Sequence, residues 1–410
     1  MSIRPFKPLW DVAPDLPQTH FLDNRIYTDE AVFSREEQDI FRSVWKFACH
    51  ESEIDKAGDY RVVEIGGISL FVVRDVDSKV RAFINACPHR GAMLLRDASG
   101  SLARHHLKCF YHHWIFSTNG QCLSIPRPNG YEGTSICKEK ISLREVRVAS
   151  AHGLVFINLS DDGEPLLDFL DGALNSLAEP LADLEVIHYH RVVVNANWKL
   201  FVETNCEGYH ELLHHLNRTT ALSQPEYGAR HWHLHSRGHH VFEPAKIAYS
   251  RLALGERGNA TLPGMSQNGH IVVDLFPDVM VNVRATVVRI DSLTPISPGV
   301  TVLECRGLGR RDDTSELREL RLKHHNQVWG PFGRNLPEDI WAIETQWKNM
   351  SAGAVRYSVV AREEDHQATD DAPLRSFYSE WCRRLKVSSH NIDEQYLEAD
   401  DAMTLAAAKE

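Results

Sequence analysis

The chain has 410 residues, 43% hydrophobic and 25% charged, the length and balance of a soluble protein with two globular domains. A formal net charge of −11 excludes the basic footprint of a nucleic-acid binder and disfavours an anionic membrane surface. No run of about 18 apolar residues is present to span a bilayer, and the amino terminus from Met1 to Pro8 lacks an apolar core of signal-peptide length. Eight scattered cysteines in a chain this long do not make a disulfide scaffold, so a cytoplasmic setting is expected.

Residues 1–33 carry prolines and no clear periodicity, which suggests an arm laid over a larger body. Ser34-Arg35-Glu36-Glu37 reads as a capping box, followed by Ile40, Phe41, Val44 and Trp45 at helical spacing. From Tyr60 the period becomes that of strands. Tyr60–Ile65 and Ile68–Arg74 flank the two-residue turn Gly66-Gly67, and Val80–Ala86 follows. Trp114–Phe116 and Gln121–Ile125 flank Thr118-Asn119-Gly120. These short strands up to about Asn158 predict an antiparallel all-β module. Pro126 and Pro128 stiffen the loop that comes next.

After Leu159 the texture changes. Leu166–Leu184 reads as helix, His188–Ala196 as strand and Trp198–His215 as one helix. His231–Val241, Ile271–Leu275, Val279–Ile290 and Gly299–Leu308 read as strands, and Asp313–Trp329, Glu338–Met350 and Pro373–Leu385 as helices. The domain expectation is an arm over 1–39, a β domain over 40–158 and an α+β domain over 159–410.

Two short loops of the β module carry the first candidate site. Cys87-Pro88-His89 is C-x-H; after nineteen residues Cys109-Phe110-Tyr111-His112 is C-x-x-H. Two Cys and two His also suit zinc. Zinc fingers, however, usually pair Cys with Cys and His with His, whereas each loop here is mixed. Mixed loops suit a [2Fe–2S] cluster with two Cys on one iron and two His on the other. Cys87-Pro88-His89-Arg90-Gly91 and Cys109-Phe110-Tyr111-His112-His113-Trp114 resemble the CxHRG and CxYHxW loops of Rieske non-haem iron oxygenases.

The second site lies in the predicted helix after Trp198. Asn197-Trp198-Lys199 and Glu207-Gly208-Tyr209-His210, with His214 and His215, put three histidines and a carboxylate within about two turns. A helix with a merely His-rich polar face is the plain alternative. The segment resembles the family pattern N-W-K … [D/E]-x-Y-H-x4-H, which makes His210 and His215 the ligands of a mononuclear iron. Helical geometry instead pairs His210 with His214, its i+4 neighbour, so His215 needs a frayed or π-bulged turn to reach the metal, and His214 stays in reserve. Glu338-Asp339, with Glu344 and Gln346, resembles the family's E-D-x4-E-x-Q segment. That match makes Asp339 the third ligand and Glu338 the next choice; both also suit a helix's first turn as dipole-complementing acids. Two His and one carboxylate leave a coordination face open for dioxygen.

The resemblance, closest to the aromatic-carboxylate branch (terephthalate and salicylate types), covers nearly the whole chain. It implies a large α subunit of a ring-hydroxylating oxygenase. The fold implied is an all-β Rieske domain followed by an α+β catalytic domain of antiparallel sheet and helices, helix-grip-like. Electrons from NAD(P)H would arrive through a reductase or ferredoxin. Glu207, standing where the family commonly has Asp, would bridge His210 to the cluster of a neighbouring subunit in a homotrimer, with or without a small β subunit. Asn205 and Tyr209 would support the site. Arg289, with Arg284 as the other candidate, would bind the carboxylate of an aromatic substrate; read on one strand, the two have opposite parity, so only one faces the pocket. An N- or O-demethylase or quaternary-amine monooxygenase is the alternative, for which an aromatic cage is expected. A bare electron carrier is the distant one. His231, His233 and His235, on one strand face near His239 and His240, read as a solvated or trimer-facing surface before a further metal site.

Overall fold

The computed structural model describes residues 7–219, 225–246, 260–266, 269–360 and 365–390. The arm over 1–33 therefore lies partly outside the described residues. The chain divides into two compact units, one of residues 41–169 with 181–186, the other of residues 1–40, 170–180 and 187–410.

The first unit is built on a seven-stranded antiparallel sheet, in the order Lys46–His50, Leu154–Asn158, Glu145–Ala151, Val80–Ile84, Ile68–Arg74, Asp59–Ile65 and Ser99–Ser101. Gly66 and Gly67 both have positive φ, 53° and 70°, which is why the predicted hairpin turn needs glycine at each place. A three-stranded sheet, His106–Lys108, Ile115–Ser117 and Cys122–Ser124, carries the second ligand loop. Phe71, Phe83, Leu107, Trp114 and Phe116 close the core around Cys87 and Cys109. The unit extends past Leu159, where the sequence reading began the second domain. The reason lies in the polar ties of the following turn: Trp45 Nε1 and Arg147 both donate to the Glu164 carbonyl, and Arg147 also reaches Ser160.

The second unit has a seven-stranded antiparallel sheet, ordered Leu184–Val194, Val300–Arg310, Val287–Ser297, Val279–Arg284, Gly269–Leu275, His240–Lys246 and Trp232–Leu234. The helix Ser315–Trp329 packs against Val287–Ser297 and Val300–Arg310, and the helices Trp198–Glu203 and Leu336–Ser351 pack together. The α+β architecture with antiparallel sheet and helices is as expected.

Several predicted elements are corrected. Ser34 does not start a helix. Asp29 caps an earlier one, Glu30–Arg35, by accepting from Ala31 and Val32, and a wider π-type turn over Glu36–Phe41 follows. Leu166–Leu184 is helical only over Leu166–Leu170 and in a short turn at Asn175–Leu177. His231–Val241 is broken where Arg237 and Gly238 take positive φ. Val279–Ile290 is two strands joined by Ala285-Thr286, a turn without Gly or Asn. The helix Ser315–Trp329 holds that turn, through His324 on the Thr286 hydroxyl and Arg321 on the Thr286 carbonyl.

The Asn197-Trp198-Lys199 motif proves to be a fastening. Asn197 caps its helix by accepting from the Lys199 N–H and donates to the carbonyls of Tyr27 and Pro298. Trp198 Nε1, Lys199 Nζ and Trp381 Nε1 all donate to the Glu36 carboxylate, at 2.8, 2.6 and 2.7 Å. Lys199 and Glu36 are fully buried. Removing either charge strands the other, a loss of about 3–5 kcal/mol.

Candidate metal centres and active site

The two ligand loops of the first unit close in the same way. The Cys87 carbonyl accepts from Gly91 N–H and the Cys109 carbonyl from His113 N–H, and the closing residues have positive φ, 74° and 61°. Asn85, buried beneath the first loop, donates to the Leu95 carbonyl and accepts from the Leu94 and Leu95 amides. Cys87 and Cys109 are 2% and 1% exposed. Burial pushes the Cys87 thiol up to about 11, and Cys109 beside it adds to the shift. Thiolates here therefore need a cation to offset their charge. His89 and His112 stand with ring centroids 4.5 Å apart, and His89 stacks on Trp114 at 4.8 Å. His89 Nδ1 is buried without a hydrogen-bond partner, while Tyr131 Oη lies 3.3 Å from Nε2. Two buried thiols, two imidazoles and an orphaned ring nitrogen fit a [2Fe–2S] cluster held by two Cys and two His. Tyr131 was not singled out from the sequence. Its only signal was the Pro128–Tyr131 turn after the hairpin.

In the second unit the expected helix Trp198–His215 is broken. It stops at Glu203, makes a tight turn over His210–Leu212 and resumes at His215. Gly208 lies in the gap because its backbone abuts the Ala368 carbonyl, to which its N–H donates at 2.8 Å; a Cβ would collide there. This break sets which histidine faces inward. His214 is buried and His215 is exposed. His210, His214 and Asp339 bring one donor atom each to within 4.8 Å of one another. His215, expected as the second ligand, stands outside this group.

Asp339 is in the first turn of the helix Leu336–Ser351, which Pro337 helps to start. Its Oδ1 lies 3.2 Å from His214 Nε2 and 3.8 Å from His210 Nε2, and accepts no hydrogen bond. His210 Nδ1 is 2.9 Å from Glu207 Oε1, and His214 Nδ1 is 2.9 Å from Glu338 Oε2. A carboxylate only accepts, so each Nδ1 carries a proton, and Nε2, which faces Asp339, is the atom of each ring left to bind a metal. Glu338, expected as the alternative ligand, instead orients one. Burial opposes charge on His210, yet Glu207 and Asp339 outweigh it and push its pKa up to about 10; His214 moves up too, burial again overcome, by Asp339 and Glu211. The site favours a cation. Two imidazoles, a carboxylate with an idle oxygen and two supporting carboxylates fit a mononuclear Fe(II).

The pocket beside this triad, about 540 Å³ including its mouth, is lined by Asn205, Glu207, Trp232, Phe242, Arg284, Arg289 and Trp329 among others. Tyr209 is half exposed and outside the pocket lining. Arg284 and Arg289 were expected on one strand with opposite parity. The Ala285-Thr286 turn puts them on paired strands, where Arg289 faces Asn282 and Arg284 faces Val287, so both share one face. Their guanidinium carbons lie 5.2 and 5.4 Å from the Trp329 ring centroid. Arg289 gives its fork to Asp291, with Nε at 2.7 Å. Burial lowers Arg284 to about 10, so it stays charged at neutral pH. Glu211, overlooked although it adjoins His210, accepts from Asn217. Burial would raise its pKa, but His214, His210 and Arg284 hold it at about 2. His231 and His233 are exposed around Glu243, and His235 meets the Asp171 carbonyl.

A two-iron-type loop pair in an all-β unit and a two-His–carboxylate triad in an α+β unit define a Rieske-type non-haem iron protein. Comparison with known proteins gives its family. A profile described as "Ring hydroxylating alpha subunit (catalytic domain)" matches residues 181–386, and one described as "Rieske [2Fe-2S] domain" matches residues 44–142. The 2-aminobenzenesulfonate 2,3-dioxygenase subunit alpha of Alcaligenes sp is 40% identical, over 92% of this chain and 97% of its own. The methanesulfonate monooxygenase hydroxylase subunit alpha of Methylosulfonomonas methylovora is 35% identical, over 94% and 96%. In fold, the chain is similar to the quaternary ammonium Rieske monooxygenase CntA, with TM-score 0.76, 21% identity, and coverage of 91% and 99%. The chain belongs to the family of ring-hydroxylating oxygenase α subunits. It is an oxidoreductase with a Rieske [2Fe–2S] domain and a mononuclear iron domain, and it works with an electron-donor partner. The expected family, fold and cofactors are thereby met, and a bare electron carrier loses its support. No helix among the described residues is long and apolar enough to cross a membrane.

Proposed function

We propose that the chain oxygenates a small anionic substrate, an aromatic sulfonate first and an aromatic carboxylate second, at an iron held by His210, His214 and Asp339. Cys87, His89, Cys109 and His112 would hold the cluster. The cluster supplies single electrons, and the mononuclear iron, when bound, supplies dioxygen activation. Glu207 and Glu338 fix the imidazoles so that both Nε2 atoms face the metal position. Arg284, buried in the pocket lining and charged at neutral pH, takes the anionic group, and Arg289 is held in place by Asp291. The observation that carries this reading is two buried arginines on one face of the pocket that opens on the triad. The sulfonates named for two relatives more than one-third identical support it. A cage for a quaternary amine would not be walled with guanidinium groups.

The same reading takes Glu207 as the electron bridge. Its side chain holds His210 and remains 16% exposed, so it can meet a neighbouring subunit in a homotrimer. A reductase or ferredoxin, a small β subunit as an optional partner and a cytoplasmic setting complete the proposal; cysteines outside the cluster loops that form no disulfide favour a reducing compartment. The order of an N-terminal arm, a Rieske domain and a catalytic domain is kept from the sequence, with the Rieske domain running to about 169 rather than 158; the profile matches at 44–142 and 181–386 support that order of the two domains.

The test is oxygen uptake coupled to product by the reconstituted holoenzyme, across aromatic sulfonates, aromatic carboxylates and trimethylated amines. Anions should be turned over, and Arg284→Met should raise KM about 10–100-fold, as for loss of a charge-assisted bond of about 1.5–3 kcal/mol, without changing iron content. Turnover of amines alone, or an unchanged KM in the variant, would overturn the proposal.

A further inference from the structure

Away from the pocket lining, a second group of three histidines is gathered in the catalytic unit. His188 and His190 alternate on the edge strand Leu184–Val194, so both rings lie on one face of the sheet. His325, on the helix Ser315–Trp329 that covers that sheet, is fully buried. Their ring centroids are 4.6 Å apart for His188 and His325, 5.3 Å for His188 and His190, and 6.2 Å for His190 and His325. One nitrogen from each can be chosen so that all three lie within 4.8 Å of one another.

None of these rings is satisfied in the ordinary way. Both nitrogens of His190, both of His325 and Nδ1 of His188 are buried without a hydrogen-bond partner. Buried imidazoles normally find a donor or acceptor. Three rings that each bring one unpartnered nitrogen to a common point, from a strand and a helix, instead form the donor set of a coordination site. Gly307 gives His325 its room, since a Cβ there would come within 2.8 Å of Nδ1. Burial lowers the pKa of all three rings, that of His190 to about 4, so each is neutral at pH 7 with a lone pair to give. The nearest charges, Arg289 and Asp291, are paired with each other and cancel.

We propose that His188, His190 and His325 bind one divalent transition-metal ion, of the zinc type, separate from the mononuclear iron and the cluster. Three neutral imidazoles without a carboxylate select zinc, copper or nickel over magnesium or calcium, and leave a fourth position for water. The ion pins an edge strand to the helix above it. It also braces the pocket from behind: His325 stands 6.0 Å from the Trp329 ring, and Trp329 carries Arg284 and Arg289 on its other contacts.

The experiment uses the full-length holoenzyme, loaded with cluster and iron, dialysed against Zn(II) and then against metal-free buffer. Zinc per chain is counted and its X-ray absorption, which sees that element alone, is recorded. One zinc per chain should remain, with nitrogen neighbours at about 2.0–2.1 Å and no sulfur shell. Loss of a direct ligand exceeds the 10–100-fold typical of outer-sphere losses, so His190→Ala and His325→Ala should each weaken retention by more than about 100-fold. Asp339→Ala and His233→Ala should retain the zinc. Should His325→Ala misfold, as cluster absorption would reveal, His188→Ala and His190→Ala on the partly exposed edge strand carry the test. Absence of retained zinc in the unaltered protein overturns the proposal. So does retention by folded His190→Ala, or loss on Asp339→Ala or His233→Ala, which would put the ion in the iron site or on the surface.

Discussion

Two side-chain triads in one domain, one of two histidines and an aspartate and one of three histidines, are built on opposite electrostatic plans. At His210, His214 and Asp339 every ring has a carboxylate behind it and one in front, and the rings are pushed toward the charged form. At His188, His190 and His325 no carboxylate bonds the rings, and burial keeps them neutral. The first arrangement fixes tautomer and orientation before the metal arrives and offsets its charge, as a redox-active site exchanging ligands with dioxygen requires. The second relies on the rigidity of strand and helix alone, which suits an ion that stays in place.

The largest expected effect separates the two at once. Asp339→Ala should lower iron from about three to about two per chain, with acid-labile sulfide unchanged at about two. Substrate-coupled oxygen uptake should disappear, and zinc at the other triad should be unaffected. Iron that stays at about three in this variant would mean that the carboxylate ligand lies elsewhere.

How much of this was legible in the sequence depends on how far apart the partners lie. The cluster loops stand out in the sequence because each supplies one Cys and one His within a few residues and closes on its own cysteine carbonyl. The iron triad was half readable. His210 and Asp339 stood in their motifs, but which of His214 and His215 lies beside them depends on a helix break at Gly208, which abuts Ala368, about 160 positions further on and silent in local pattern. The pairing of Arg284 with Arg289 failed for a related reason. A turn held by His324 and Arg321 replaces the usual Gly or Asn signal, so tertiary contacts decided where a strand ended. The second triad had a local signal, His-Tyr-His in a strand, but its third member is on a helix far down the chain. In the N-W-K motif the residues were noticed and their role was not: they fasten the arm through Glu36.

A smaller effect tests the supporting carboxylates. Glu338→Gln keeps an acceptor for His214 Nδ1 but removes the charge. Iron affinity should fall about 10–100-fold, the usual consequence of losing such a partner, when measured by competition with a chelator. Turnover should return in excess iron, because no ligand has been lost. Zinc retention at the second triad should not change. If excess iron fails to restore turnover, Glu338 does more than orient His214.

The smallest effect concerns the helix that leads to the first triad. Its last residue, Glu203, accepts from Tyr27 Oη at 2.7 Å and from Tyr378 Oη. Burial raises its pKa from the ordinary 4.5 to about 7, against the opposing pull of the two tyrosines and Lys199. Between those values the folded protein holds a proton that the unfolded chain has released. This group's contribution to stability is therefore fully present below pH about 4.5 and is lost as pH rises toward about 7. Glu203→Gln is neutral throughout and has no such slope. Melting temperatures of the two proteins should differ least near pH 5, with the variant gaining on the parent up to pH 8. The gain should be on the order of 1–2 kcal/mol, from about 1.4 kcal/mol per unit reduced by partial solvent access. A difference independent of pH would mean that Glu203 is ionised throughout, and that the support beneath the first triad is as charged as the triad itself.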